Sequence, residues 1–185
     1  MYFLSKSKTE FIQVHFIDTA AKGLIPDFAR FQQLHSAAEL HYLADTYNWD
    51  DGVSVLDWII SSPRCDYGTA LLIFWRAQPD FYTQFESEQE AADEEDIFRL
   101  LRTVIRNWET GFYQHHRIGY DPVAEELLDF ERPDAKWAIP IAFRLGNPGQ
   151  AVVAQQALEK WLAGLLHRLW HWRRQRRRAL NRRRH

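Results

Sequence analysis

Apolar residues recur at helical spacing along most of this chain, and local stop and start signals divide the pattern into segments. Ser36 and Glu39 stand three apart ahead of an apolar run. That is a capping box, in which each side chain satisfies a backbone N–H near the other. A helix is therefore predicted from 36 to about 46, with Leu40, Leu43 and Ala44 on one face. Val55, Leu56, Ile59 and Ile60 keep the period over 53–61, and Pro63 closes that segment. Asp66 then reads as the N-cap of "YGTALLIFWRA", 67–77, which is apolar nearly all round and so predicts a central buried helix. Ser87 with Glu90 forms a second capping box at the head of 86–111. Ile97, Leu100, Leu101, Val104, Ile105 and Trp108 carry the apolar stripe of that long segment. Asp121 and Pro122 predict a short helix to Phe130, because proline suits a first helical turn. A last helix is expected from about Ala151 into the C-terminal arginines. Residues 10–21 fit a helix or a strand, with helix preferred. Three prolines and two glycines leave 131–149 irregular. No strong hairpin signal appears. The expected fold is all-α: a single-domain helical bundle of six or seven helices over 1–172, with room at most for a minor strand pair, followed by a basic tail, 173–185.

Composition sharpens this picture. A chain of 185 residues that is 46% hydrophobic can bury one sizeable core. No run of eighteen apolar residues occurs and no signal-peptide pattern opens the chain, so a cytoplasmic protein is expected. The single cysteine, Cys65, excludes an internal disulfide. The net charge of −2 conceals a division: nine arginines and no acid fall in 168–185. The rest of the chain holds 14 basic residues against 25 acidic ones, a net of −11. An acidic body carrying a basic tail is a statement about partners, not about fold.

Candidate chemistry is sparse. "YNWDDG", 47–52, places Trp49 against Asp50 and Asp51 between two predicted helices. A turn explains it: Asp51 can cap the second helix, Asn48 or Gly52 can take a left-handed conformation, and Trp49 can fold back on the core. A calcium-loop reading fails, because the glycine in sixth place would put Tyr47 first and Trp49 third. Adjacent carboxylates point apart, which weakens an acid–base pair. "RNWETG", 106–111, echoes the stretch by chance, Trp108 belonging to a helical stripe. Cys65 sits beside a helix cap, where a thiol can be activated, though a small buried residue is the simpler reading. His167 and His171 have the spacing of two metal ligands, but Arg168 and its neighbours oppose a dication. No nucleophile elbow or phosphate loop is present, and neither metal nor cofactor is expected.

"YNWDDG" and "PRCDYGTALLIFW" together resemble a bacterial domain family of unknown function with an NWDDG turn and a C-D-x-G-T-A-L run. The resemblance covers about 36–85 and marks Asn48, Trp49, Asp50, Asp51, Gly52, Cys65, Asp66, Gly68, Thr69 and Ala70 as its defining positions. Some members look like immunity proteins of toxin systems. The resemblance thus implies a non-enzymatic protein-binding module, an immunity-type inhibitor of a toxin. Its expected binding residues are Asn48, Trp49, Asp50, Asp51 and Asp66. The run 86–96 adds seven acids and no cation, with Glu88, Glu90, Glu94 and Glu95 offered to a basic protein partner. Two competing expectations remain. One is a hydrolase-like enzyme with Asp50, Asp51 and Asp66 around one pocket. The other is weak membrane or nucleic-acid contact through Arg173, Arg174, Arg176, Arg177 and Arg178.

Overall fold

The computed structural model describes residues 1–125 and 132–156. Among these residues the fold is mostly helical, with one small parallel sheet. Strand β1 (Tyr2–Leu4) pairs with β2 (Val152–Ala154), Tyr2 opposite Val152 and Leu4 opposite Ala154. Between them lies the helical body. Helix α1 (Lys6–Ile12) continues through a π-helical turn, Gln13–Ile17, into α2 (Asp18–Ala21). Asp27 caps the short α3 (Phe28–Phe31) by accepting from the Ala29 N–H. Helix α4 (Ala37–Thr46) has the predicted capping box, with both reciprocal bonds made. Helices α5 (Ser54–Ile60) and α6 (Tyr67–Arg76) follow as expected. After α7 (Pro79–Tyr82) and α8 (Glu88–Ala91) comes α9 (Glu95–Glu109), the longest element among the described residues, and a single turn, α10 (Ile141–Arg144), interrupts the later irregular stretch.

Helix α6 is the centre of the core. Every residue from Tyr67 to Trp75 is buried, and α4, α5 and α9 all pack on it. A helix apolar on all sides is stable only when surrounded. The Trp75 indole N–H donates to the Phe143 carbonyl at 3.1 Å, which satisfies the one polar atom of that buried side chain. Phe143 also stands edge-on to Phe74 and Trp108.

Three expectations need correction. Residues 152–154 are strand, not the start of a helix: Val-Val-Ala is extended because β1 supplies its hydrogen-bonding partner. The 86–111 segment is not one helix. It breaks at Ala92, where φ is +48°, and a 3-10 turn (Ala92–Glu94) separates α8 from α9. A continuous helix would stack Glu86, Glu90 and Glu94 at i,i+4, where like charges destabilise. The second capping box is correspondingly partial. Ser87 accepts from the Glu90 N–H, while the Glu90 carboxylate reaches past Ser87 to the Glu86 N–H. Finally, Asp121 accepts from the Val123 and Ala124 N–H groups and forms a turn over 122–125. The remainder of that predicted helix, and the last helix with His167 and His171, lie outside the described residues.

Candidate binding surface

The 47–52 stretch is a self-contained turn. The Asn48 side chain accepts from the Asp50 N–H at 3.3 Å and donates to the Asp51 carboxylate at 3.2 Å. This caps a 3-10 turn, Trp49–Asp51, and Gly52 leaves it at φ +82° and ψ 179°, a conformation open in practice to glycine alone. Trp49 is half-buried against the core. Asp51 does not cap α5, whose N-cap residue is Val53 without a side-chain bond. Its carboxylate is engaged one turn earlier, by Asn48. Asp50 is exposed.

Asp66 occupies a different place and a different environment. It is fully buried, and its carboxylate accepts three backbone N–H groups: Gly68 at 3.0 Å, Arg117 at 2.8 Å and Ile118 at 3.2 Å. A buried carboxylate is tolerable only with such partners. It caps α6 and clasps the loop 115–118, to which the Tyr67 N–H also donates through the His115 carbonyl. Asp66 lines a cavity beside Ser36–Ala38, at the start of α4, whereas the 47–52 turn follows the end of α4. Ten helical residues span about 15 Å. The three aspartates of the enzyme reading therefore stand at opposite ends of a helix.

The rest of the "CDYGTA" motif is explained by packing. Cys65 is buried, and burial with the neighbouring Asp66 pushes its thiol well above the ordinary range, away from reactivity. Thr69 shares a buried hydrogen bond with His41 Nδ1 at 3.0 Å. Burial holds His41 down to about 4, although Asp45 and Asp66 pull the other way. Gly68 admits the Ile118 carbonyl to 2.1 Å from where a Cβ would stand.

All seven acids of 86–96 are exposed. The kink at Ala92 turns them into a knuckle anchored by the buried Ala91. Glu94 accepts from the Tyr82 hydroxyl at 2.9 Å, and Asp96 pairs with Arg99 at 2.6 Å. Arg99 also reaches Asp57, whose carboxyl burial raises despite that cation. Arg173, Arg174, Arg176, Arg177 and Arg178 lie outside the described residues.

Sequence reasoning missed an aromatic surface feature. Phe28, Phe31 and Trp58 form an aromatic cluster, with centroids 5.2–5.8 Å apart, beside a groove of about 480 Å³. Phe28 is close to half exposed. Its local signal was weak, because the three rings come from two distant segments. Among the described residues no group of three His, Cys, Asp or Glu could hold a metal ion, and no helix is long and apolar enough to cross a membrane.

Residues 35–109 match the model of a family described as a domain of unknown function (DUF4274). That segment runs from the α4 cap to the end of α9 and includes the turn, the Asp66 motif and the acidic knuckle. No curated protein and no solved structure matches the chain.

Proposed function

We propose that this chain is a non-enzymatic protein-binding module, an immunity-type inhibitor, and that the acidic knuckle 86–96 meets a basic surface on its partner. The observation that carries this reading is the exposure of seven acids on one short, anchored segment, of which only Asp96 is paired to a cation among the described residues. Such a surface raises the rate of encounter with a cationic partner and disfavours anionic ones. The buried Ala91 and the Tyr82–Glu94 bond hold the segment in place, so little ordering entropy opposes binding. Asp66 is engaged by backbone and supports the fold. Trp49 and Asp51 hold the turn.

The test is a charge reversal. Glu88→Lys, Asp93→Lys and Glu95→Lys together replace exposed side chains and leave the Glu90–Glu86 bond, Tyr82 and Arg99 with their partners. A partner captured by the unaltered protein from its native cell should bind the triple variant at least tenfold more weakly, with a steep salt dependence in the unaltered pair. Equal capture by both proteins at low salt would remove the knuckle from the interface.

A further inference from the structure

A second charged feature has the opposite sign. A cavity of about 280 Å³ opens between the starts of α4 and α6. His35 and Arg64 reach it from the residues just ahead of the two helices, and His115 and Arg117 from the loop that Asp66 clasps. All four residues are exposed. None of the ion pairs among the described residues uses any of them. In a body that carries a net −11 outside its last segment, two unpaired arginines beside two histidines are unexpected, because acids are plentiful enough to pair them.

The backbone adds donors. Ala37 and Ala38 are the first two residues of the ten-residue α4 and line the same cavity. Their N–H groups precede the first intrahelical bond. The side chains that cap this helix bond elsewhere: Ser36 takes the Glu39 N–H, and Glu39 takes those of His35 and Ser36. The helix dipole adds positive potential at this end.

Two carboxylates stand close, and both are engaged. Asp66 accepts its three backbone N–H groups. Glu39 bonds Ser36 and the His35 and Ser36 amides, and pairs with Lys8 at 2.8 Å. Burial alone would raise the Glu39 carboxyl, but Lys8, Ser36 and those amides hold it below its ordinary value, so it stays anionic and turned to them. Neither neutralises Arg64 or Arg117.

We propose that this cavity binds a phosphate group, gripped by Arg64 and Arg117, with the Ala37 and Ala38 amides and the two histidines as further donors. The donor set favours phosphate over carboxylate. Two guanidinium forks and two amides offer more N–H groups than two oxygens accept, whereas a tetrahedral dianion presents its oxygens in several directions. The volume leaves room for an ester substituent beside the phosphate. The group can therefore be free phosphate or a phosphate monoester.

The experiment is an amide NMR titration of the full chain with inorganic phosphate and, separately, with glycerol 3-phosphate, against sodium chloride of matched ionic strength. Saturable shifts at Ala37, Ala38 and Arg117 are expected with at least one of them. Saturation by phosphate identifies a free anion, and saturation by the ester alone identifies an esterified one; both support the site. Arg64→Ala and Arg117→Ala should each weaken binding on the order of tenfold, as loss of a charge-assisted contact does. Arg64→Lys should recover part of it. Thermal melts check that each variant is folded, and Arg64→Ala alone carries the test if Arg117→Ala is not. Absence of saturable shifts with both probes, or unchanged binding in a folded Arg64→Ala variant, would overturn the proposal.

Discussion

Replacing Gly68 by alanine tests the account of the Asp66 motif most directly. Gly68 is the second residue of α6, at an ordinary helical position. On propensity alone, Gly→Ala there should stabilise, by up to about 1 kcal/mol. The packing predicts the reverse. The new Cβ would stand 2.1 Å from the Ile118 carbonyl oxygen and 3.0 Å from its carbon, both backbone atoms. Relief needs a shift of about 1 Å, since close-packed interiors leave no slack. That shift falls on the loop fixed by the Asp66 carboxylate, through the Arg117 N–H at 2.8 Å and the Ile118 N–H at 3.2 Å, and on the Asn147 side chain, which donates to the Ile118 carbonyl at 2.6 Å. Overpacking costs about 1–3 kcal/mol, and a weakened hydrogen bond to a buried charge adds about 1.5–3. After the propensity gain, a net loss of about 3 kcal/mol is expected, or a melting temperature lower by roughly 6–12 °C for a chain of this size. Calorimetry or urea unfolding followed by circular dichroism measures it. Gly52→Ala is the control: nothing lies within 4 Å of its Cβ, but φ is +82°, so its penalty of about 1–3 kcal/mol is backbone strain alone. A Gly68→Ala protein as stable as the parent would refute the close approach of the 115–118 loop.

Trp75→Ala should destabilise by about 3–5 kcal/mol in the same unfolding assay, because it empties the middle of the core; Trp75→Phe should lose less, while leaving the Phe143 carbonyl without its donor. Asn48→Ala should cost about 1 kcal/mol as the loss of a cap, and Asp50→Asn should leave the melting curve unchanged, so a large effect of the second would give that carboxylate a role outside the turn. The fold holds His41 at about 4 against 6.5 in the open chain, so its contribution is complete above pH 6.5 and is lost as pH falls toward 4, by at most about 3 kcal/mol. Urea midpoints between pH 7 and 4.5 should fall less steeply in His41→Gln than in the parent, and identical slopes would show that another group governs the window.

How much of this was legible in the sequence depended on how local each signal was. The Ser36–Glu39 box, the Asp66 cap and the stripe of α9 each act within one or two helical turns, and each appears where the spacing placed it. Gly52 was legible for the same reason. The β1–β2 pairing was not, because two three-residue strands at the far ends of the described chain leave no periodic trace and depend on each other for hydrogen bonds. The break at Ala92 was hidden by a second capping signal and an acid-rich first turn, both of which favour a helix locally. The repulsion along the run opposes them, and the Tyr82 hydroxyl offers Glu94 a partner off the helix axis. Asp51 was misplaced because a carboxylate three residues before α5 has a nearer donor in Asn48. The cationic cavity had no signal at all, since its four side chains come from three separated stretches.

The motif residues also show why the segment 35–109 does not account for itself. Two of the three donors to the Asp66 carboxylate, Arg117 and Ile118, lie beyond residue 109. So do the carbonyl that Gly68 makes room for and the one that accepts from Trp75. Without them Asp66 would be a buried carboxylate with one backbone partner, which costs several kcal/mol. An Asp-x-Gly at the start of a wholly buried helix therefore prescribes a backbone segment lying against that helix from elsewhere in the chain. Here the segment is 115–118, and its attachment has a second consequence. One of the bonds that satisfy Asp66 is made by the main-chain N–H of Arg117, which fixes that residue beside the start of α4, among those that line the cavity. The buried anchor and the exposed cation are thus set by one residue, and a change at Gly68 that displaces the loop should disturb both stability and any anion bound there.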